Sequence, residues 1–204
     1  MDLRKRFSAL WGRLDASGNP DKVLAELIGR YQEPHRSYHT VAHLEFGLSQ
    51  FDLISGLAMH PDRVEFSYFF HDNVYIIGAA DNEEQSAHLA REVLKKAQVP
   101  VVVQLHVVAH IMTTKPGEKA NSPDQQVMAD IDLAILGQSR DVFVEYERQV
   151  RQEYASVPEE VFWEARKGIL QGFLNRPSIF STSHFREIYE AQARENLTWT
   201  IGRH

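Results

Sequence analysis

The residues best equipped for chemistry are two pairs of histidines, one His-Asp dipeptide and two carboxylates set in apolar surroundings. "YHTVAHL" (38–44) places His39 and His43 four apart, and "HVVAH" repeats that spacing with His106 and His110. Residues four apart on a helix share a face, so each pair can point into one site. "FSYFFHDNVY" sets His71 and Asp72 at the end of an aromatic run, where a lone carboxylate is costly to bury unless positive charge lies close. "MADIDLAILG" embeds Asp130 and Asp132 in a second apolar stretch, again the setting of a partly buried acid. A histidine, an adjacent His-Asp and a distant Asp form a donor set suited to a borderline or hard divalent ion where no sulfur competes, and the chain has no cysteine. Two imidazoles and two carboxylates leave positions for water, which such an ion can activate.

These groups are far apart in sequence, so the fold must converge them. Periodicity favours helix nearly everywhere: Val23, Leu24, Leu27, Ile28 and Tyr31 share one face, and Val127, Ile131 and Ile135 recur every fourth residue. The expected architecture is a single all-α domain over 1–204, with helices near 2–14, 20–32, 38–57, 61–72, 83–97, 99–113, 123–137, 139–155, 158–174 and 183–199. Pro20, Pro61, Pro123 and Pro158 fall near proposed first turns, and Asn19 and Ser122 are placed to cap. His39 then lies inside the third helix, Leu105, Val108 and Ile111 read as core, and Phe66, Tyr68, Phe69 and Phe70 pack behind the site. "TTKPGEKANSP" (113–123) is the longest loop candidate and suits a lid.

The ordered set His43, His71-Asp72, Asp132 resembles the HD superfamily of metal-dependent phosphohydrolases, and nearly the whole chain is similar to its small single-domain branch. "RSYHTVAH", "HDNVY", "DNEEQSA", "DIDLAILG", "VRQEY" and "ARENL" carry the likeness. The resemblance implies an HD-type helical bundle with His43, His71, Asp72 and Asp132 as metal ligands, and it prefers Asp132 over Asp130. "YHTVAH" also resembles the Tyr-His-Asn-x-x-His motif of cyclic-nucleotide phosphodiesterases, with Thr40 where those have Asn; it implies that His39 is a general acid. By family position Glu83, ahead of Glu84, orients or deprotonates water. Arg36 and Arg151 become candidates for gripping phosphate oxygens, with Lys115 a third. Where the family reads Thr-Lys-x-His, "TTKPG" has Gly117, and His110 is the candidate substitute. The cofactor is one or two divalent ions among manganese, magnesium, iron, cobalt, nickel and zinc, and the substrate a small phosphate ester such as a nucleotide. Two alternatives stand beside hydrolysis. A di-iron oxygenase would need further ligands from His88, His106 or His110, and a silent nucleotide sensor would need neither His39 nor Glu83.

With 43% hydrophobic and 25% charged residues, 204 residues can build one sizeable core. The formal charge of −6 offers no overall attraction to nucleic acid or anionic lipid, no run is apolar enough to span a membrane, and a cysteine-free chain suits a reducing cytoplasm. "MDLRKRFSALWGRL" reads as an amphipathic helix rather than a signal peptide. Taken singly, each feature also has a plainer reading. Lone histidines are mostly structural, Glu83 and Glu84 complement a helix dipole, Asp130 is a helix-surface acid, and Arg148 and Arg151 sit on an ion-paired face with Glu145, Glu147 and Glu153. Whether helices pair into a homodimer is left open.

Overall fold

A computed structural model describes residues 1–203. Ten α-helices occur among them: α1 (Leu3–Arg13), α2 (Pro20–Tyr31), α3 (Val41–Ile54), α4 (Pro61–Phe70), α5 (Asn82–Lys96), α6 (Val101–Met112), α7 (Pro123–Leu133), α8 (Arg140–Glu153), α9 (Glu159–Leu174) and α10 (Ser183–Arg203). Short 3₁₀ turns, Ser55–Leu57 and Ala134–Gly137, extend α3 and α7. No strand is present among the described residues, so the domain is all-α.

Helix starts follow local chemistry. Asp2, Asn19 and Ser122 accept hydrogen bonds from first-turn N–H groups of α1, α2 and α7, donors that no carbonyl of the same helix can reach. Pro20, Pro61 and Pro123 open α2, α4 and α7, where a missing N–H costs nothing; Pro158 stands one residue outside α9. Residues 113–122 form the expected loop. The third helix departs from expectation, beginning at Val41 after an extended Thr40 (φ −111°, ψ −177°). His39 therefore precedes the helix.

The expected aromatic core forms on α4: Phe66, Tyr68, Phe69 and Phe70 are buried. Phe7 of α1 packs edge-on to Phe69 with ring centroids 5.0 Å apart. Arg6 and Arg13 of α1 meet the buried Glu65 of α4, each at 2.5 Å, so these N-terminal basic residues fasten α1 to the helix that leads into His71. Glycine is required at one crossing. A Cβ on Gly47 of α3 would lie 1.8 Å from the Tyr68 hydroxyl, and this close approach seats Tyr68 beside the histidines described below. α6 turns a different face inward than expected. Val103, Val107 and Ile111 are buried while Leu105 is 51% exposed, because a helix apolar almost all round carries no periodicity that selects a face. Among the described residues, no helix is long and apolar enough to cross a membrane.

Behind this core, His110 is buried and Nδ1 lies 3.2 Å from Ser67 Oγ, whose own proton goes to the Arg63 carbonyl. The imidazole is therefore the donor, and its Nε2 stands 3.8 Å from the Asp124 carboxylate. His60 donates to the same carboxylate at 3.0 Å, and His106 accepts from Arg63 at 2.6 Å. Burial pushes His110 down to about 4 against the pull of Asp124. A histidine held below its unfolded value of ~6.5 leaves stability intact above that pH, and stability is lost as pH falls toward 4 because the unfolded chain binds the extra proton. Urea unfolding is expected to show up to about 3 kcal/mol of loss between pH 6.5 and 4 from this residue, and His110→Asn should flatten that decline. An unchanged slope in the variant would assign the acid sensitivity elsewhere.

Candidate metal centre

Three helix junctions converge on one point. His43 comes from the first turn of α3, His71 and Asp72 follow the end of α4, and Asp132 comes from the last turn of α7. His43, His71 and Asp132 form a group whose ligand atoms lie close enough to hold a metal ion. The two Nε2 atoms are 3.2 Å apart. Asp132 Oδ1 is 3.5 Å from the His43 nitrogen and 3.2 Å from that of His71, and Asp72 Oδ2 is 3.4 Å and 3.1 Å from the same pair. Ligand atoms each ~2.1 Å from a shared ion are about 3.0–3.4 Å from one another in octahedral or tetrahedral arrangements, so the spacing fits a cation.

Outer contacts fix which nitrogen faces inward. His71 Nδ1–H donates to the Tyr68 carbonyl at 2.8 Å, and His43 Nδ1 is 3.1 Å from the Tyr38 hydroxyl, so both Nε2 atoms are turned to the centre. The Tyr68 ring stacks on His71 at 4.5 Å. Both imidazoles are buried. Burial, helped by the neighbouring His71, pushes His43 below its ordinary value although Asp72 pulls the other way. His71 goes up instead, since Asp72 and Asp132 overcome the burial penalty. Burial resists ionisation of Asp72, but His71 and His39, with hydrogen bonds from His43 and His71, hold it well below the carboxylate range. The carboxylates thus draw positive charge to the imidazole nitrogens between them, a place where a cation is electrostatically favoured.

His39 reaches this region by a route that its spacing did not suggest. Glu153, at the C-terminus of α8, has a fully buried side chain. Its Oε1 accepts from three successive N–H groups, Ser37, Tyr38 and His39, at 2.8, 2.8 and 2.9 Å. Those bonds take the place of a helical turn and explain why α3 starts late. Oε2 accepts from His39 Nδ1 at 2.8 Å and from the Tyr75 hydroxyl at 2.9 Å. Burial opposes the ionised form, yet His39 and the backbone donors pull Glu153 down to about 2. An ionised acceptor requires the proton on His39 Nδ1, so Nε2 remains available. Burial works against protonation of His39, and the charges of Asp72 and Glu153 outweigh it.

The other expected residues divide. Glu83, in the first turn of α5, is half-buried; burial first, then the charges of Asp72 and Glu84, push its carboxyl up. Lys115 pairs with Glu84 and lines a groove that also contains Asp132. Arg36 does not face solvent as a phosphate grip. Its side chain is fully buried, and its guanidinium donates to the carbonyls of His39 (3.1 Å), Asp72 (2.7 Å) and Asn73 (3.3 Å), tying the His39 segment to the His-Asp turn. Arg151 likewise caps the end of α8 through the Tyr154 and Val157 carbonyls and packs over Phe162. Asp130 is not a surface acid: it is buried and accepts from the N–H groups of Ser181 and Thr182 at 2.7 Å each. Asp72 lies near the imidazoles but outside the three-residue group that could hold an ion, as do His110, His106 and His88, and His110 is committed to Ser67 and Asp124. At Gly117 the backbone has φ +93°, a conformation that disfavours the histidine expected at that position.

Glu153 is the residue of this region that the sequence placed only on an ion-paired face. It sits inside the "VRQEY" segment that drew attention to Arg151. Compared with protein-family models, curated proteins and solved structures, the chain matches none, so the significance of this centre rests on its own residues and their geometry.

Proposed function

We propose that the chain is a metal-dependent phosphohydrolase of HD type, with His43, His71, Asp72 and Asp132 as ligands and a small phosphate ester, such as a nucleotide, as substrate. The observation that carries this reading is an adjacency: the His43–His71–Asp132 group with the Asp72 carboxylate near both imidazoles and, beside it, a histidine backed by a buried carboxylate. A bound divalent ion supplies an acidified water and offsets charge on the phosphoryl oxygens. The protein's own residues then account for the protons. As the water oxygen attacks phosphorus, Glu83 accepts the water's proton, a role favoured by its raised pKa. The bond from phosphorus to the ester oxygen breaks, and His39 donates the Nε2 proton to that departing oxygen while Glu153 stabilises the imidazolium. The products are phosphate, or a shorter phosphate ester, and an alcohol. Arg36 keeps the donor and the ligand turn in fixed register.

The di-iron oxygenase alternative lacks its additional nitrogen ligands, since none of His88, His106 and His110 belongs to the group. A silent sensor has no need of the His39–Glu153 pair. The deciding experiment is element analysis of purified protein followed by phosphate release from nucleotides and phosphomonoesters with manganese, magnesium, cobalt or iron added. Metal-dependent release is expected. A protein that binds metal yet releases nothing from either ester class would sink the hydrolase reading.

A further inference from the structure

The groove that opens on Asp132 is much larger than one phosphate group requires. Its volume is about 720 Å³, and its walls come from the 113–121 loop, α7, α9 and the 176–181 segment. That size lies within the roughly 300–1,000 Å³ of pockets that hold whole small molecules. Leu133, Ile169, Phe173 and Ile179 make part of the wall apolar. Lys115, Lys119 and Arg176 contribute basic groups and Glu118 an acidic one, Glu118 lying on the 113–121 loop and Arg176 on the opposite, 176–181 side. Lys115 is neutralised by Glu84. Lys119 and Arg176 have no acidic partner among the described residues, and the Arg176 guanidinium lies over Phe173 with its carbon 4.6 Å from the ring centroid.

The α9 side of the groove supplies a further observation. Gly168 and Gly172, one turn apart on α9, both line the groove, and a Cβ built on either would meet nothing within 4 Å. Glycine is the poorest helix former after proline, and Gly12, Gly29 and Gly202 on other helices are equally unhindered, so the pair on α9 matters here only for the space it leaves in the groove wall. Leaving them bare keeps the α9 backbone open to the groove.

We propose that this groove receives the alcohol portion of the substrate and that Arg176, aided by Lys119, binds a second anionic group on it, which makes the substrate class a bisphosphorylated small molecule. The inference rests on the hydrolase reading for the reaction at Asp132, but its recognition element is separate from the metal ligands. A planar guanidinium without a carboxylate partner is suited to bidentate contact with phosphate, and the apolar wall covers the carbon skeleton between the two charged ends.

The test uses the full, metal-loaded chain and two matched pairs of probes: adenosine 5′-monophosphate with adenosine 3′,5′-bisphosphate, and fructose 6-phosphate with fructose 1,6-bisphosphate. In at least one pair the bisphosphate is expected to bind about tenfold more tightly or better, as one charge-assisted contact allows. Arg176→Ala should erase that preference with metal content unchanged. Gly172→Leu provides an independent arm. It should maintain or raise Tm, because leucine is the better helix former, while weakening bisphosphate binding by about tenfold or more through occupation of the groove. Equal binding of mono- and bisphosphate in both pairs, or a preference that survives Arg176→Ala, overturns the proposal. Phosphate release from monoesters without preference would leave the hydrolase standing and remove this inference. Arg176-dependent binding with no release under any metal would do the reverse.

Discussion

Asp72→Ala is expected to strip the centre of metal and abolish phosphate release while leaving the chain folded. Asp72 contributes to the fold through its backbone carbonyl, which accepts from Arg36 at 2.7 Å; its carboxylate is directed to the His43 and His71 nitrogens at 3.4 and 3.1 Å. Removing the side chain therefore takes one anionic ligand from the cluster without freeing a buried donor of the scaffold. Loss of an outer-shell partner alone typically costs about 10–100-fold in metal affinity, and a direct ligand costs more. Two measurements check this: element analysis after dialysis, and thermal melts with and without added manganese. The parent Tm should rise with metal, since a ligand that binds only the folded state stabilises it, and the variant Tm should not respond. Stoichiometric metal in Asp72→Ala would show that the ligand set is wrongly drawn. His39→Ala makes the useful contrast, because it should keep metal and lose rate only.

The helices and three of their starts were legible because proline and capping side chains act locally. Asn19 before Pro20 and Ser122 before Pro123 do in the fold what the same residues do in any chain. The convergence of His43, His71 and Asp132 was legible for a different reason: acids and imidazoles embedded in apolar sequence must find opposite charge or a cation wherever the fold places them. Arg36 was misjudged because residue type does not reveal whether a guanidinium meets a ligand or the protein's own carbonyls. The start of α3 was misplaced because a residue more than a hundred positions away, Glu153, supplies the acceptors that a helical turn would otherwise provide. One signal for a buried acid on α8 was nonetheless present. Phe143, Glu147 and Val150 fall at helical spacing on its buried face, so an acid on α8 need not be a surface acid, and Glu153 lies one turn beyond Val150 on that side.

Glu153→Gln is expected to lower kcat by about 100-fold or more while metal content and KM stay near the parent values. The carboxylate accepts five hydrogen bonds, three on one oxygen and two on the other. Glutamine has one oxygen and an NH₂ that cannot accept. If the oxygen faces the backbone, the amide presents donors to His39 Nδ1–H and to Tyr75; if it faces His39, three backbone N–H groups lose their acceptor, at about 1–3 kcal/mol for each one left buried and unpaired. In the first orientation His39 must shift its proton to the other nitrogen or turn away, and in both the hydrogen-bonded charge that supports its protonated form is gone, leaving only the charges across the centre. Glu153 is a positioning residue, so its effect should vanish when the group it positions is absent. In a His39→Ala background, Glu153→Gln should change kcat by little. A further large loss there would mean that Glu153 acts through the stability of the 37–39 segment rather than through the proton on His39. Retention of parental kcat in the single variant would remove His39 from the role of proton donor, because the carboxylate hydrogen-bonded to it would then be dispensable.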